Sequence, residues 1–167
     1  EISPNGQRIV TVSWDRTARI WDAASGQSLL CLTDYHAPIF ALAYAPKGQQ
    51  FATGCADGTV KIRDLASGRE LLGFKAQNDS VRSVAFSPDG QRILTAGGGD
   101  RTAKVHDATN GKELLTLNTL NYYVWTAAFS PDGRRIVTGS GGDAIARVWD
   151  AASGRPRSEE HTSELQS

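Results

Sequence analysis

Four aspartates recur at one position of an internally repeated chain: Asp15, Asp57, Asp100 and Asp143. A carboxylate that returns in register could hold a metal ion or move a proton. Each repeat supplies only one, however, with no second ligand at fixed spacing. Accepting hydrogen bonds from turn backbone N–H groups is therefore the stronger expectation. The other reactive residue types are as thinly set. His36 and His106 stand singly, with no Cys or Glu at zinc spacing. The run Gly97-Gly98-Gly99-Asp100 suggests a phosphate loop, but it lacks the following Lys-Ser/Thr and a helix to hold the anion, so it reads as an enlarged turn. Ser3, Ser87 and Ser130 precede prolines with no nucleophile elbow around them. Cys31 and Cys55 are too few for a disulfide framework; they read as small apolar residues of a reducing compartment, which points to the cytoplasm. No catalytic residue, metal site or cofactor is expected.

Composition narrows the partners. The 167 residues fit one domain, and Lys+Arg and Asp+Glu are both 18, for a formal net charge of zero. That balance gives no electrostatic reason to expect nucleic acid or an anionic membrane. No apolar run approaches the roughly 18 residues of a membrane span, and no signal peptide is visible. The chain contains no Met and opens on Glu1-Ile2 inside a repeat, so its natural start is expected to lie elsewhere. Residues 157–167, RSEEHTSELQS, match the translation of a common sequencing-library adapter at every position. They are expected to be a non-native tail and are kept out of the fold reading.

The elements that position these residues come from the repeat. Four segments align: ISPNGQRIVTVSWDRTARIWDAASG from Ile2, YAPKGQQFATGCADGTVKIRDLASG from Tyr44, FSPDGQRILTAGGGDRTAKVHDATNG from Phe86 and FSPDGRRIVTGSGGDAIARVWDAASG from Phe129. Their first glycines, Gly6, Gly48, Gly90 and Gly133, are spaced 42, 42 and 43 residues apart. Pro-x-Gly marks a turn, because Pro presets one central φ and Gly accepts a positive one. Short alternating runs follow, such as Arg92 to Thr95 and Ala103 to His106, and alternation over that length specifies strand. Glu70 to Phe74 and Val81 to Phe86 add two more strands per period. Four strands in such a period match one propeller blade.

The chain resembles the WD-repeat family. The carrying residues are Trp21-Asp22 and Trp149-Asp150, with Arg63-Asp64 and His106-Asp107 at equivalent places. The entry Val84 to Gly90 and the Asp-x-Thr turns at Asp15, Asp57 and Asp100 add to it. The resemblance covers residues 1–156. It implies an all-β fold, a partial β-propeller of about three and a half four-stranded antiparallel blades. The blades are expected at residues 1–34, 35–76, 77–119 and 120–156, partial at both ends, with the remaining blades of the same polypeptide as neighbours. In the family, Trp, Ser/Thr, Asp and a loop His form a tetrad within a blade. Here the His position falls on Tyr35, Gln77 and Leu120, and Arg63 and His106 replace Trp in the middle copies. No copy can complete the tetrad. Thr11, Thr53, Thr95 and Thr138 share one strand position and are placed to bridge toward the turn Asp.

Shared positions build a repeat scaffold, and unshared ones carry its individual function. The blade-joining loops differ most: LTDYHAPIF, FKAQNDSVR and LNTLNYYVW. The residue after each leading aliphatic is Phe40, Arg82 and Trp125, with Tyr35, Tyr122 and Tyr123 beside them. These types dominate interface hot spots. The six residues form the candidate face for a protein or peptide partner, provided that Phe40, Arg82 and Trp125 share one side of the fold; the competing reading makes Phe40 and Trp125 packing residues between blades. The leading function is a protein–protein interaction scaffold within a larger bacterial signalling or regulatory protein. One alternative is a propeller enzyme with a central-channel active site, which the innermost runs IFALAY, VRSVAF and VWTAAF disfavour because they are nearly free of titratable groups. The other is a propeller that binds peptides or small ligands.

Overall fold

The computed structural model describes residues 1–118, 123–141 and 146–157. Tyr122 and Asp143, and all of the tail except Arg157, lie outside these residues.

Every regular element is a strand. The first sheet holds β1 (Arg8–Val12), β2 (Ala18–Asp22) and β3 (Ser28–Leu32). The second holds β4 (Ile39–Tyr44), β5 (Gln50–Cys55), β6 (Thr59–Asp64) and β7 (Glu70–Lys75). The third holds β8 (Val81–Phe86), β9 (Arg92–Gly97), β10 (Thr102–Asp107) and β11 (Glu113–Asn118). The last holds β12 (Val124–Phe129), β13 (Arg135–Ser140) and β14 (Ala146–Asp150). All pairings are antiparallel between chain neighbours. The architecture is thus a run of propeller blades, two with four strands and two with three. An Ile2–Ile9 bridge stands inside β1, and a Trp149–Pro156 bridge lies outside β14.

The blades stack face to face. Leu94, Ala96, Ala103 and Val105 of the third sheet pack on Val124, Ala127, Ile136 and Trp149 of the fourth. Ala52, Val60 and Ile62 of the second sheet meet Val81, Val84 and Ile93 of the third in the same way. Val10 and Ile20 of the first meet Phe51 and Leu65 of the second. Sheets covered on both sides lose the alternation of a one-sided strand. The stretches FATGC in β5 and ILTAG in β9 are buried at every position.

Turn chemistry closes each hairpin as the repeat suggests. Gly48 N donates to Ala45 O at 2.8 Å with φ +69°, the left-handed cap of a tight loop that only Gly enters without cost. Ser3 Oγ accepts from Arg8 N, Ser87 Oγ from Arg92 N and Ser130 Oγ from Arg135 N, at 2.9–3.0 Å. These hydroxyls are occupied as turn staples.

Candidate docking groove

The candidate residues sit at irregularities in the sheets. In β4 the register runs from Ile39↔Cys55 to Ala41↔Gly54, which leaves Phe40 without a partner. Arg82 is skipped between Val81↔Gly97 and Ser83↔Ala96, and Trp125 between Val124↔Ser140 and Thr126↔Gly139. Each is a β-bulge at the start of an innermost strand. A bulge inserts one residue against the partner strand and re-aims its side chain. Three successive blades therefore project one unpaired side chain each from equivalent positions.

The three side chains meet. The Arg82 guanidinium lies 4.3 Å from the Phe40 ring centroid and 5.5 Å from that of Trp125. Phe40 in turn packs edge-on against Trp14, with centroids 5.4 Å apart. Phe40, Arg82, Tyr123 and Trp125 line a groove of about 500 Å³ together with Asp79 and Ser80. Trp125 is 54% exposed and Trp14 74% exposed, although both are large apolar side chains. The Trp125 indole lies against Gly141, where a Cβ would stand 2.2 Å from Nε1. Phe40, Arg82 and Trp125 thus share one side of the fold.

Tyr35 does not join them. It is 4% exposed and belongs to a core cluster with Ala18, Ile39 and Cys55. Its placement on the partner face is corrected: burial outweighs the interface reading, and its hydroxyl lies 3.2 Å from Thr53 Oγ1. Trp14 was the missed residue. Its signal was present, since equivalent turns carry Ala56 and Gly99 where this copy carries Trp.

Asp15 and Asp57 cap their own turns, while Asp100 accepts from Asn78 N at 3.2 Å. Asp15 Oδ1 accepts from Thr17 N at 2.9 Å and Thr17 Oγ1 at 2.7 Å; Asp57 Oδ1 does the same with Thr59 at 3.0 and 2.6 Å. Among the described residues no three His, Cys, Asp or Glu are grouped to hold a metal ion. A second aspartate in each repeat is similarly engaged. Asp22, Asp64 and Asp150 accept from the backbone N–H and hydroxyl of Ser25, Ser67 and Ser153, and Asp107 accepts from those of Thr109.

In the first and fourth blades the repeated Thr accepts a hydrogen bond across the blade from an indole. Trp21 Nε1 donates to Thr11 Oγ1, and Trp149 Nε1 to Thr138 Oγ1, both at 2.9 Å. For Thr11 the expected bridge to the aspartate is corrected: its hydroxyl accepts from the Trp21 indole, and Asp15 Oδ1 accepts from Thr17. The residue pairs Trp-Asp and Trp-Thr, at one register in the first and fourth blades, decide the family. The matching family is the WD domain, G-beta repeat, over residues 1–22, 26–64, 68–107 and 111–150.

The chain belongs to the WD-repeat family. Comparison with curated proteins gives no match. WD repeats generally serve as non-enzymatic scaffolds that bind other proteins or peptides. Each full WD match starts at or just before an outermost strand and ends with the third strand of the next blade, so every sequence repeat staples two blades together.

The third WD blade builds a tetrad-like network from other residues, while the family's own tetrad stays incomplete in both middle blades and, among the described residues, Arg63 Nε and His106 Nδ1 are buried without a hydrogen-bond partner. With the Gln77 amide oriented to satisfy both of its ends, its nitrogen donates to Asp100 Oδ2 at 2.6 Å and its oxygen accepts from Thr95 Oγ1 at 2.9 Å. His106 Nε2 lies 3.5 Å from the same Thr95 hydroxyl. Gln77 therefore stands where the family has His, and His106 where it has Trp. In the second blade Arg63 stacks 4.7 Å from the Tyr35 ring centroid, and its Nη2 meets Asp34 Oδ2 at 2.6 Å.

These networks set a pH dependence. Burial holds the His106 imidazole below its ordinary value. A buried neutral base favours folding fully above the ordinary His range, and that contribution falls as the unfolded chain takes up protons below about pH 6.5. Asp15, Asp22, Asp64, Asp107 and Asp150 are held below the ordinary carboxylate value by hydrogen bonds from Thr17, Ser25, Ser67, Thr109 and Ser153. Their contribution is complete above about pH 4 and disappears as they protonate below it. Urea unfolding across pH 3–8 is expected to show two descending limbs on acidification, and His106→Gln should flatten only the upper one. A single limb in both proteins would contradict this assignment.

Proposed function

We propose that this section of WD-repeat propeller is a protein-interaction scaffold that docks its partner in the Phe40–Arg82–Trp125 groove. The single observation carrying the reading is the bulge-borne Trp125, more than half exposed beside a stacked Arg. Trp and Arg are the residue types that most often anchor interfaces, and a rigid bulge presents them at low entropic cost. The setting we propose is a larger bacterial signalling or regulatory polypeptide in the cytoplasm. Supporting it are the near-identical repeats ending in Ala-Ser-Gly, a style similar to long bacterial arrays, and the two free thiols Cys31 and Cys55.

The test is selection of a displayed random-peptide library on the full chain, followed by affinity measurements on synthetic versions of the winners. Trp125→Ala is expected to weaken them by about 30-fold, the loss typical of a hot-spot residue. Leu29→Ala, on the exposed outermost strand of the first blade, should leave affinity unchanged. Winners that bind the Trp125→Ala protein as tightly as the parent would sink the groove as the docking site.

A further inference from the structure

We infer that the partner presents an acidic segment to this groove: an Asp or Glu side chain flanked by apolar residues, received by Arg82. The inference rests on the docking reading above and adds the chemistry of the occupant.

Several cations of the chain are already occupied by carboxylates, and among the described residues Arg82 is not. Arg8, Arg63, Lys61 and Lys104 each reach a carboxylate of this chain, at 2.8, 2.6, 2.7 and 3.0 Å. Arg82 forms no such pair among the described residues. Its Nε donates to Ser80 Oγ at 3.1 Å, and neither Nη nitrogen has an acceptor among the described residues. The groove's own acid does not neutralise it. Asp79 Oδ1 accepts from Ser80 N at 2.6 Å, and Oδ2 is turned to Gly99, where a Cβ would stand 2.1 Å away. Gly99 thus leaves the room that lets this carboxylate tuck into the turn, and Gly98 leaves room for the Ser80 hydroxyl. Gly98 N also ties to Ser80 O at 3.1 Å, which fixes the segment that holds Arg82.

Stacking completes the receptor. The aromatic faces of Phe40 and Trp125 hold the cation at 4.3 and 5.5 Å without consuming its N–H groups. A guanidinium held by its faces keeps its planar donor edge for a two-pronged bond to a carboxylate. Trp125 and Tyr123 line the same groove. The groove therefore offers the Arg82 donor edge between the aromatic side chains of Phe40 and Trp125, with Trp14 packed against Phe40. Charge complementarity and wall chemistry together select an anionic side chain beside apolar ones.

The library selection supplies the probes. Winning peptides are expected to share an Asp or Glu next to an aromatic or aliphatic residue. Exchange of that residue for Asn or Gln should weaken binding to the parent chain by about tenfold or more, the loss of a charged hydrogen bond. Arg82→Gln should bind the acidic and amide peptides equally, and raising salt should weaken only the parent's binding of the acidic peptide. Arg82→Lys, which keeps the charge without the fork, should recover part of the preference. A thermal melt of Arg82→Gln matching the parent shows that the fold is kept. If winners lack acidic residues, or the amide exchange changes nothing on the parent while Trp125→Ala still abolishes binding, the acidic occupant is wrong and the docking site stands. If binding is indifferent to Trp125→Ala, both are wrong.

Discussion

Replacing Gly58 by alanine is expected to lower stability by about 3–5 kcal/mol, seen in urea unfolding as a lower midpoint at unchanged slope. Two penalties add at this one position. Gly58 has φ +82°, a left-handed conformation that costs an L-residue about 1–2 kcal/mol. An added Cβ would also lie 2.2 Å from the Gln77 carbonyl oxygen and 2.5 Å from that of Asp79. Those are backbone atoms, so no side chain can swing aside. The connection from β7 to β8 would have to move, although Gly58 O holds it through Ala76 N at 2.9 Å and Gln77 N at 3.1 Å. That connection carries Gln77 into the third-blade network and sets Asp79 and Ser80 beneath Arg82, so the variant should also weaken the groove's ligand. Gly26→Ala is the control. It has φ +71° with nothing within 4 Å of the added Cβ, and only the backbone cost of about 1–2 kcal/mol should appear. Equal losses at the two positions would remove the steric part of the argument.

The chain is expected to self-associate at micromolar concentration, because the outer face of the fourth blade is an interior surface left in water. Val137 and Val148 are 41% and 38% exposed. Their equivalents one blade earlier, Leu94 and Val105, are buried beneath Ile136 and Trp149. The equivalents in the second blade, Ala52 and Ile62, are buried beneath Ile93. Burying one such aliphatic side chain favours association by about 1.5–3 kcal/mol, and Ala128 and Ala146 extend the same exposed face. Sedimentation velocity should show concentration-dependent growth for the parent chain. The double variant Val137→Lys, Val148→Lys should sediment as a monomer with its melting curve preserved, since neither side chain contributes to a covered junction. A parent chain that stays monomeric at tens of micromolar, indistinguishable from the double variant, would overturn this.

Much of the site could be anticipated from sequence, and the exceptions are instructive. Phe40, Arg82 and Trp125 stand out because they occupy one register position with three unrelated side chains. Strand alternation, however, assigns them to either face with equal ease, since a period of two says nothing about a register break. The bulges that skip each of them exist only once a second strand is paired. Tyr35 went wrong for a related reason. It lies in a variable loop, yet the loop folds inward and its ring takes the place of a tetrad histidine. Gln77 and Asp100 hold the loop-His and turn-Asp positions of the family tetrad, but which partner each end of the Gln77 amide takes is decided only when loop and turn pack together.

Local chemistry by itself determined the strands, the Pro-x-Gly turns, the aspartate caps and the membership of a propeller, because each depends on residues within one period that repeats four times. Tertiary structure alone decided which side chains line the groove. That choice depends on bulge register, on the burial of Tyr35 and the exposure of Trp14, and on an arginine clasped between rings from two other blades. Those contacts join residues about one period apart, and their energies come into being only when the blades pack.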